Sequence, residues 1–252
     1  MSENLRLAAP DGSVAEAIVH PDAPTLVGAA AAFVAGRASE AISARGRFTI
    51  ALSGGATPKP VYERLASARL DWTRVHVYFG DERCVPPDDP LSNYRMAKEA
   101  LLDKIAIPPA NVRRMRGEDP PDAAARQYEQ ALREGLGEGG RLDLVLLGLG
   151  DDGHTASLFP GLAAVTETVR WVAASYVEAA GQWRISLTPP IINAARMVTF
   201  LVEGSTKADV LRRVLLGPRQ PVVLPAQAIR PAERPALWLL DAAAAARLDR
   251  QA

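Results

Sequence analysis

Short apolar runs that end in glycine-rich or charged turns alternate along this chain with stretches whose apolar positions return every three or four residues. Leu26, Ala30, Phe33, Val34, Ala38, Ala41 and Ile42 predict a long helix over 23–44, stopped by Gly46. FTIALSGGATPKPVYERLA (48–66) predicts a strand, a glycine turn and a helix, with Thr57 as N-cap and Pro58 in the first helical position. VHVYFGDERCVPPDDPLSNY (75–94) predicts a second strand running into a polar, proline-broken loop, and a helix over about 92–103 starts at Ser92 or Asn93. Ala125, Tyr128, Leu132 and Leu136 mark a further helix, ended by GEGG (137–140). LDLVLLGLGDDGHTASLFPG (142–161) opens as a buried strand and turns abruptly polar.

Strands near Arg170–Ala174 and Arg184–Leu187 precede a helix over 189–195. MVTFLV (197–202) reads as a buried strand leading into a helix over 203–215, capped by Ser205 or Thr206. ALWLLD (236–241) is the last strand, before an Ala-rich terminal helix. Strands alternating with helices in this way imply a mainly parallel, Rossmann-like sheet with helices on both faces. No repeat, low-complexity segment or long linker interrupts it, so residues 1–252 are expected to form one α/β domain.

Composition narrows the function. Lys plus Arg and Asp plus Glu each total 29, so no basic surplus favours nucleic acid or an anionic membrane. A single cysteine, Cys84, excludes an internal disulfide, leaves a metal site without thiol partners, and suits a reducing compartment. MSENLRLAAPDG lacks the basic and apolar regions of a secretory signal. The apolar runs stop short of the roughly 18 residues of a membrane helix. A cytoplasmic, soluble protein is the expectation.

In a parallel sheet the strand-to-helix turns emerge on one edge, so 53–57, 80–86, 148–155 and 203–207 are expected to face one crevice. Ser53, Gly54 and Gly55 before a helix offer backbone N–H groups and a helix dipole to an anion, or form a tight turn that needs two glycines. Asp81, Glu82 and Arg83 read as a solvated loop with a local ion pair, although Arg83 has the planar donor fork that suits phosphate. Cys84 reads as a packing residue. Lys207 opposes the dipole of the helix it opens unless an anion accompanies it. His154, behind Asp151, Asp152 and Gly153 at a strand's carboxyl end, is a candidate general base; His20 and His76 have no such setting.

Two alternatives fail on detail. Gly148, Gly150 and Gly153 match G-x-G-x-x-G, but two aspartates stand where a dinucleotide's pyrophosphate would lie. No G-x-S-x-G elbow supports a serine hydrolase.

Together, SGGATP (53–58), FGDERCVPPDDPLSNY (79–94), LGLGDDGHTASLFPG (147–161) and the RISLTPPIINAAR…EGSTKADVL region (184–211) resemble the 6-phosphogluconolactonase family over nearly the whole chain. The resemblance implies a three-layer α/β/α fold related to glucosamine-6-phosphate deaminases and ribose-5-phosphate isomerases. It implies hydrolysis of 6-phosphoglucono-1,5-lactone in the pentose phosphate pathway, without cofactor or metal, and no obligate protein partner. His154 falls on the family's catalytic histidine, and Arg83 and Lys207 on its substrate- and phosphate-binding cations. Ala56 departs from the usual serine of SGGSTP, which removes a hydroxyl and leaves the backbone donors.

The expected mechanism sets the phosphate against Ser53, Gly54 and Gly55 between Arg83 and Lys207. His154 activates water, and Asp152 holds either the imidazole or the sugar hydroxyls. A glucosamine-6-phosphate deaminase is the nearest rival, but Arg83 replaces the tyrosine of its DEY and Ala156–Pro160 replaces its AFNEP-like run. A non-catalytic sugar-phosphate sensor is a second rival, disfavoured because only about 20 residues precede the first long helix.

Overall fold

The computed structural model describes residues 2–137 and 139–248. The strands are β1 (Glu3–Ala8), β2 (Val14–His20), β3 (Phe48–Leu52), β4 (Val75–Phe79), β5 (Asp81–Arg83), β6 (Leu144–Leu147), β7 (Val172–Val177), β8 (Gln182–Leu187), β9 (Val198–Val202) and β10 (Leu237–Asp241). The helices are α1 (Ala23–Arg45), α2 (Pro58–Leu65), α3 (Asn93–Ala100), α4 (Pro121–Leu136), α5 (Pro189–Ala194) and α6 (Ala208–Leu216). Seven strands form one sheet in the order β1-β2-β10-β9-β6-β3-β4, parallel except for β1.

The central strands are apolar at consecutive positions because both faces are covered. Phe48, Ile50 and Leu52 of β3 and Leu144 and Leu146 of β6 pack in one cluster with Val34 and Ala38 of α1, Tyr62 of α2 and Ala97 of α3. The intervening Ala51, Val145 and Leu147 point the other way, with Tyr128 and Leu132 of α4, Ile191 of α5 and Leu211 of α6. Alternation along each strand thus feeds two cores, which gives the three-layer α/β/α architecture that the sequence implies. The chain belongs to this mainly parallel, Rossmann-like class.

Several local expectations need correction. The first residues form a β1–β2 hairpin whose second strand pairs with β10, an addition the apolar pattern did not predict. Thr57 takes helical φ/ψ and makes no side-chain cap bond, whereas Ser92 does cap α3, accepting from the Arg95 N–H. Ser205 and Thr206 cap nothing either. With Lys207 they make a 3₁₀ turn ahead of α6, so that helix begins later than expected.

The Ala-rich end forms only a 3₁₀ turn at Ala244–Arg247, and residues 249–252 lie outside those described. Gly137 ends α4 as expected, and Glu138 of the GEGG stretch also lies outside the described residues. By length and mean hydropathy (1.2), α1 does reach the membrane range, contrary to expectation. Its Leu26, Ala30, Val34, Ala38 and Ala41 are nonetheless buried in this fold.

The strands near 170–187 do not join the parallel sheet. β5, β8 and β7 form a separate antiparallel sheet, joined to the main one where Gly80 donates to the Leu52 carbonyl and accepts from Leu187. Asp81, Glu82 and Arg83 therefore lie in a strand, with Asp81 and Glu82 buried, and not in the solvated loop their charges suggested. Glu82 accepts from the N–H groups of Arg83, Asn93 and Tyr94 and from the Ser92 hydroxyl, so it anchors the start of α3. Burial raises its pKa, and those donors oppose the rise.

Tyr62 pins the first turn. Its buried hydroxyl accepts from the Ser53 N–H at 2.9 Å and donates to the Ser53 carbonyl at 2.8 Å. Tyr62→Phe leaves both backbone groups unpaired and is expected to cost about 1–3 kcal/mol. A lowered denaturant midpoint at unchanged slope is the expected reading, and an unchanged midpoint would contradict it.

Candidate active site

β3 and β6 are neighbours, but β3 runs on to β4 on one side while β6 runs on to strands on the other. This is a topological switch point, where open α/β sheets leave a crevice at the strands' carboxyl ends. A cleft of about 580 Å³ opens there, lined by residues of all four predicted turns, including Ser53, Gly54, Gly55, Arg83, His154 and Lys207. The expectation that distant turns share one crevice holds for the described residues.

His154 is held on several sides. Its Nδ1 lies 2.6 Å from Asp152 Oδ1, and its backbone N–H donates to the same oxygen at 3.0 Å. In this structure Asp152 is therefore paired with the imidazole through Oδ1. Burial works to raise the Asp152 pKa, but the His154 N–H and imidazole outweigh it and hold the carboxyl below its usual range. Phe159 stacks on the imidazole, with centroids 4.0 Å apart and planes 25° from parallel.

Gly150 leaves room for the ring, since a Cβ there would sit 2.0 Å from His154 Nδ1. Gly150→Ala should therefore displace the imidazole and lower turnover by roughly tenfold or more, given how steeply rate depends on placement. Steady-state kinetics beside a product-binding titration would check this; full turnover would refute it. Gly153, at φ +85°, closes the turn by donating to the Gly150 carbonyl. No helix begins directly after Gly153, the next helical turn being the 3₁₀ turn at Ala163–Thr166, which removes the dinucleotide reading of these glycines.

The first glycine turn is built differently from expectation. The Ser53 N–H is taken by Tyr62, so it offers nothing to an anion, and the buried Ser53 hydroxyl has no partner. Gly54 approaches the Asn93 side chain so closely that a Cβ would lie 1.9 Å from Oδ1. Asn93 in turn donates to the Asp81 carbonyl and carboxylate, and Ser157 donates to the other Asp81 oxygen at 2.6 Å.

The cations are the chief surprise. Arg83 donates to the Leu91 carbonyl through Nη1, and its Nε is buried without a partner. Directly across the β5–β8 ladder stands Arg184, which also lines the cleft and whose buried Nε is likewise unpartnered. Burial lowers the Arg184 pKa, and the neighbouring Arg83 charge lowers it further. Sequence reasoning missed Arg184 as a cleft residue, and placed Asp81 at the crevice without its burial there. Arg184 sits in a strand, QWRISL, whose alternation shows a polar face but not what that face meets.

Lys207 finds the anion its position called for, with Nζ 2.6 Å from Asp151 Oδ1. Cys84 is half-buried, and burial pushes its thiol up to about 11, as suits a packing residue. Among the described residues no three His, Cys, Asp or Glu side chains gather so as to hold a metal ion.

Fold and cleft define a class: an α/β/α protein with a carboxylate-held histidine and three cations in one crevice at the sheet's switch point. Residues 21–238 match the family of glucosamine-6-phosphate isomerases and 6-phosphogluconolactonase, and the chain belongs to that family. A 6-phosphogluconolactonase of Nostoc sp. is 43% identical over 235 residues, which are 91% of this chain and 97% of the relative. One from Synechocystis sp. is 45% identical over 210 residues, 81% of this chain and 86% of the relative. The solved 6-phosphogluconolactonase of Trypanosoma cruzi superposes with a TM-score of 0.83 at 31% identity, covering 92% of this chain and 96% of that one.

Proposed function

We propose that this chain is a carboxylic ester hydrolase that opens 6-phospho-D-glucono-1,5-lactone to 6-phospho-D-gluconate, the second step of the oxidative pentose phosphate pathway. It acts as one soluble domain in the cytoplasm. The observation that carries the reading is the Asp152–His154 contact of 2.6 Å in the same cleft as Arg83, Arg184 and Lys207. A held base and a cation cluster are what a phosphorylated ester needs. The named relatives support this choice of substrate.

In the proposed reaction, Asp152 accepts the Nδ1 proton and so keeps the Nε2 lone pair free. Nε2 takes a proton from water as the water oxygen bonds to C1 of the lactone. The tetrahedral oxyanion then collapses, the C1–O5 bond breaks, and the imidazolium returns its proton to the departing oxygen. The product carboxylic acid ionises, and the histidine is ready again. The phosphate meets Arg83, Arg184 and Lys207, near the Gly54–Gly55 turn. Because the Ser53 N–H is occupied, the side-chain cations carry more of this binding than the backbone does. A lactone already has a good acyl carbon, so a positioned base worth roughly 10²–10⁴-fold and binding energy suffice.

The test is a substrate comparison. With lactone generated in situ from glucose 6-phosphate, the protein should speed delivery of 6-phosphogluconate to its dehydrogenase. With glucosamine 6-phosphate it should release no ammonia. Ammonia release without lactone opening would move the chain to the deaminase branch, and binding of both without turnover would make it a sensor.

A further inference from the structure

Of the three cations in the cleft, Lys207 has its charge already answered by a carboxylate. Its ammonium is 2.6 Å from Asp151 Oδ1, whereas Arg83 and Arg184 each keep a buried Nε with no acceptor. Two consecutive aspartates take different partners: Asp152 holds the imidazole and Asp151 holds the ammonium. The pair is lopsided in its access to water. The Lys207 side chain is 23% exposed and the Asp151 side chain 78%. The carboxylate can swing into solvent at small cost while the ammonium stays in the cleft.

We infer that Asp151 is an internal anion that occupies Lys207 while the cleft is empty and yields it to the substrate's phosphoryl group. Asp151 thereby sets the affinity for phosphorylated ligands from outside the reacting centre. This rests on the assignment of Lys207 to the phosphate. No bond forms or breaks in the exchange; one ion pair replaces another.

The consequence is a competition term. A ligand that needs Lys207 free binds only the fraction of molecules in which the pair is open, so its dissociation constant rises by the inverse of that fraction. Solvent-exposed ion pairs are weak, so the factor is about two- to fivefold, and it shrinks as salt screens the pair. A phosphate dianion can displace one exposed carboxylate, but a lactone without a phosphoryl group brings no charge to do so. The pair therefore lowers the affinity for phosphorylated ligands and leaves that for an unphosphorylated lactone unchanged. It also returns as product leaves, which weakens the hold on 6-phosphogluconate. If Asp151 instead merely steered Lys207 into place, its removal would weaken binding, so the two roles differ in sign.

The experiment is a double-mutant cycle on the whole chain. Inorganic phosphate and 6-phosphogluconate are titrated calorimetrically into the wild type, Asp151→Asn, Lys207→Ala and the double variant, at low and high salt. Asp151→Asn should bind both ligands about two- to fivefold tighter at low salt, with the gain fading at high salt. KM for the lactone should fall by the same factor, with a much smaller effect on kcat. In the Lys207→Ala background the substitution should change nothing. Unchanged or weaker binding in Asp151→Asn, while Lys207→Ala does weaken binding, would overturn the exchange and leave the phosphate assignment standing. If Lys207→Ala itself leaves phosphate binding unchanged, the phosphate assignment fails and the exchange with it.

Discussion

His154→Ala is expected to lose roughly 10²–10⁴-fold in kcat while binding 6-phosphogluconate about as well as the wild type. The split follows from where the side chain sits. Its Nδ1 is committed to Asp152, its face is covered by Phe159, and it is not one of the cleft cations proposed to meet the phosphate. Removing it deletes the proposed proton acceptor and leaves Arg83, Arg184 and Lys207 in the cleft. Asp152→Asn should lower kcat as well, by a different route. An amide that donates to Nδ1 stabilises the tautomer with Nε2 protonated, and that tautomer cannot accept a proton from water. Steady-state kinetics with a calorimetric product titration separates the two quantities. A His154→Ala enzyme with near wild-type kcat would remove the histidine from the chemistry.

The second large effect belongs to Arg184. Arg184→Met should raise KM for the lactone by roughly 10- to 100-fold, the loss of about 1.5–3 kcal/mol expected for a charge-assisted hydrogen bond. Thermal stability should hold or rise. In the empty protein Arg184 carries three costs, which the nearby Asp81 and Glu82 carboxylates offset only in part: a buried Nε with no acceptor, a like-charged Arg83 opposite, and burial that disfavours its charged form. An arriving phosphate dianion offsets all three. Function and stability thus pull in opposite directions at this position, as they do where a site is held ready for an absent ligand. KM and Tm measured on the same preparation test this. An unchanged KM with a lowered Tm would make Arg184 a structural residue.

How far these residues could be read from the chain depended on what signal each carried. The central parallel strands were legible because both faces are buried, so Phe48–Leu52 and Val198–Val202 are apolar apart from one buried threonine each, Thr49 and Thr199. His154 was legible because a sharp change from apolar to polar marks the carboxyl end of such a strand. β5 was not, since a strand written Asp-Glu-Arg looks like a solvated loop until β8 pairs with it and α3 needs an anchor at its start. The β1–β2 hairpin was obscured because it lies at the sheet's edge, where half-exposed strands alternate weakly. Arg184 escaped because its significance is a register relation, with Arg83 opposite, and no local pattern encodes which residue faces which across a ladder. The capping expectations at Thr57 and Ser205 failed for a simpler reason: the cap-forming residue types were there, but the chain enters α2 and α6 already coiled.

The most direct measurement follows the lactone itself. 6-Phosphogluconolactone is formed rapidly at controlled pH, and its decay to 6-phosphogluconate is recorded by phosphorus or carbon NMR at increasing concentrations of this protein, with His154→Ala in parallel. A first-order decay that accelerates in proportion to wild-type protein, and stays near the spontaneous rate with the variant, is the predicted result. Decay at the spontaneous rate with both proteins would contradict lactone hydrolysis by this chain.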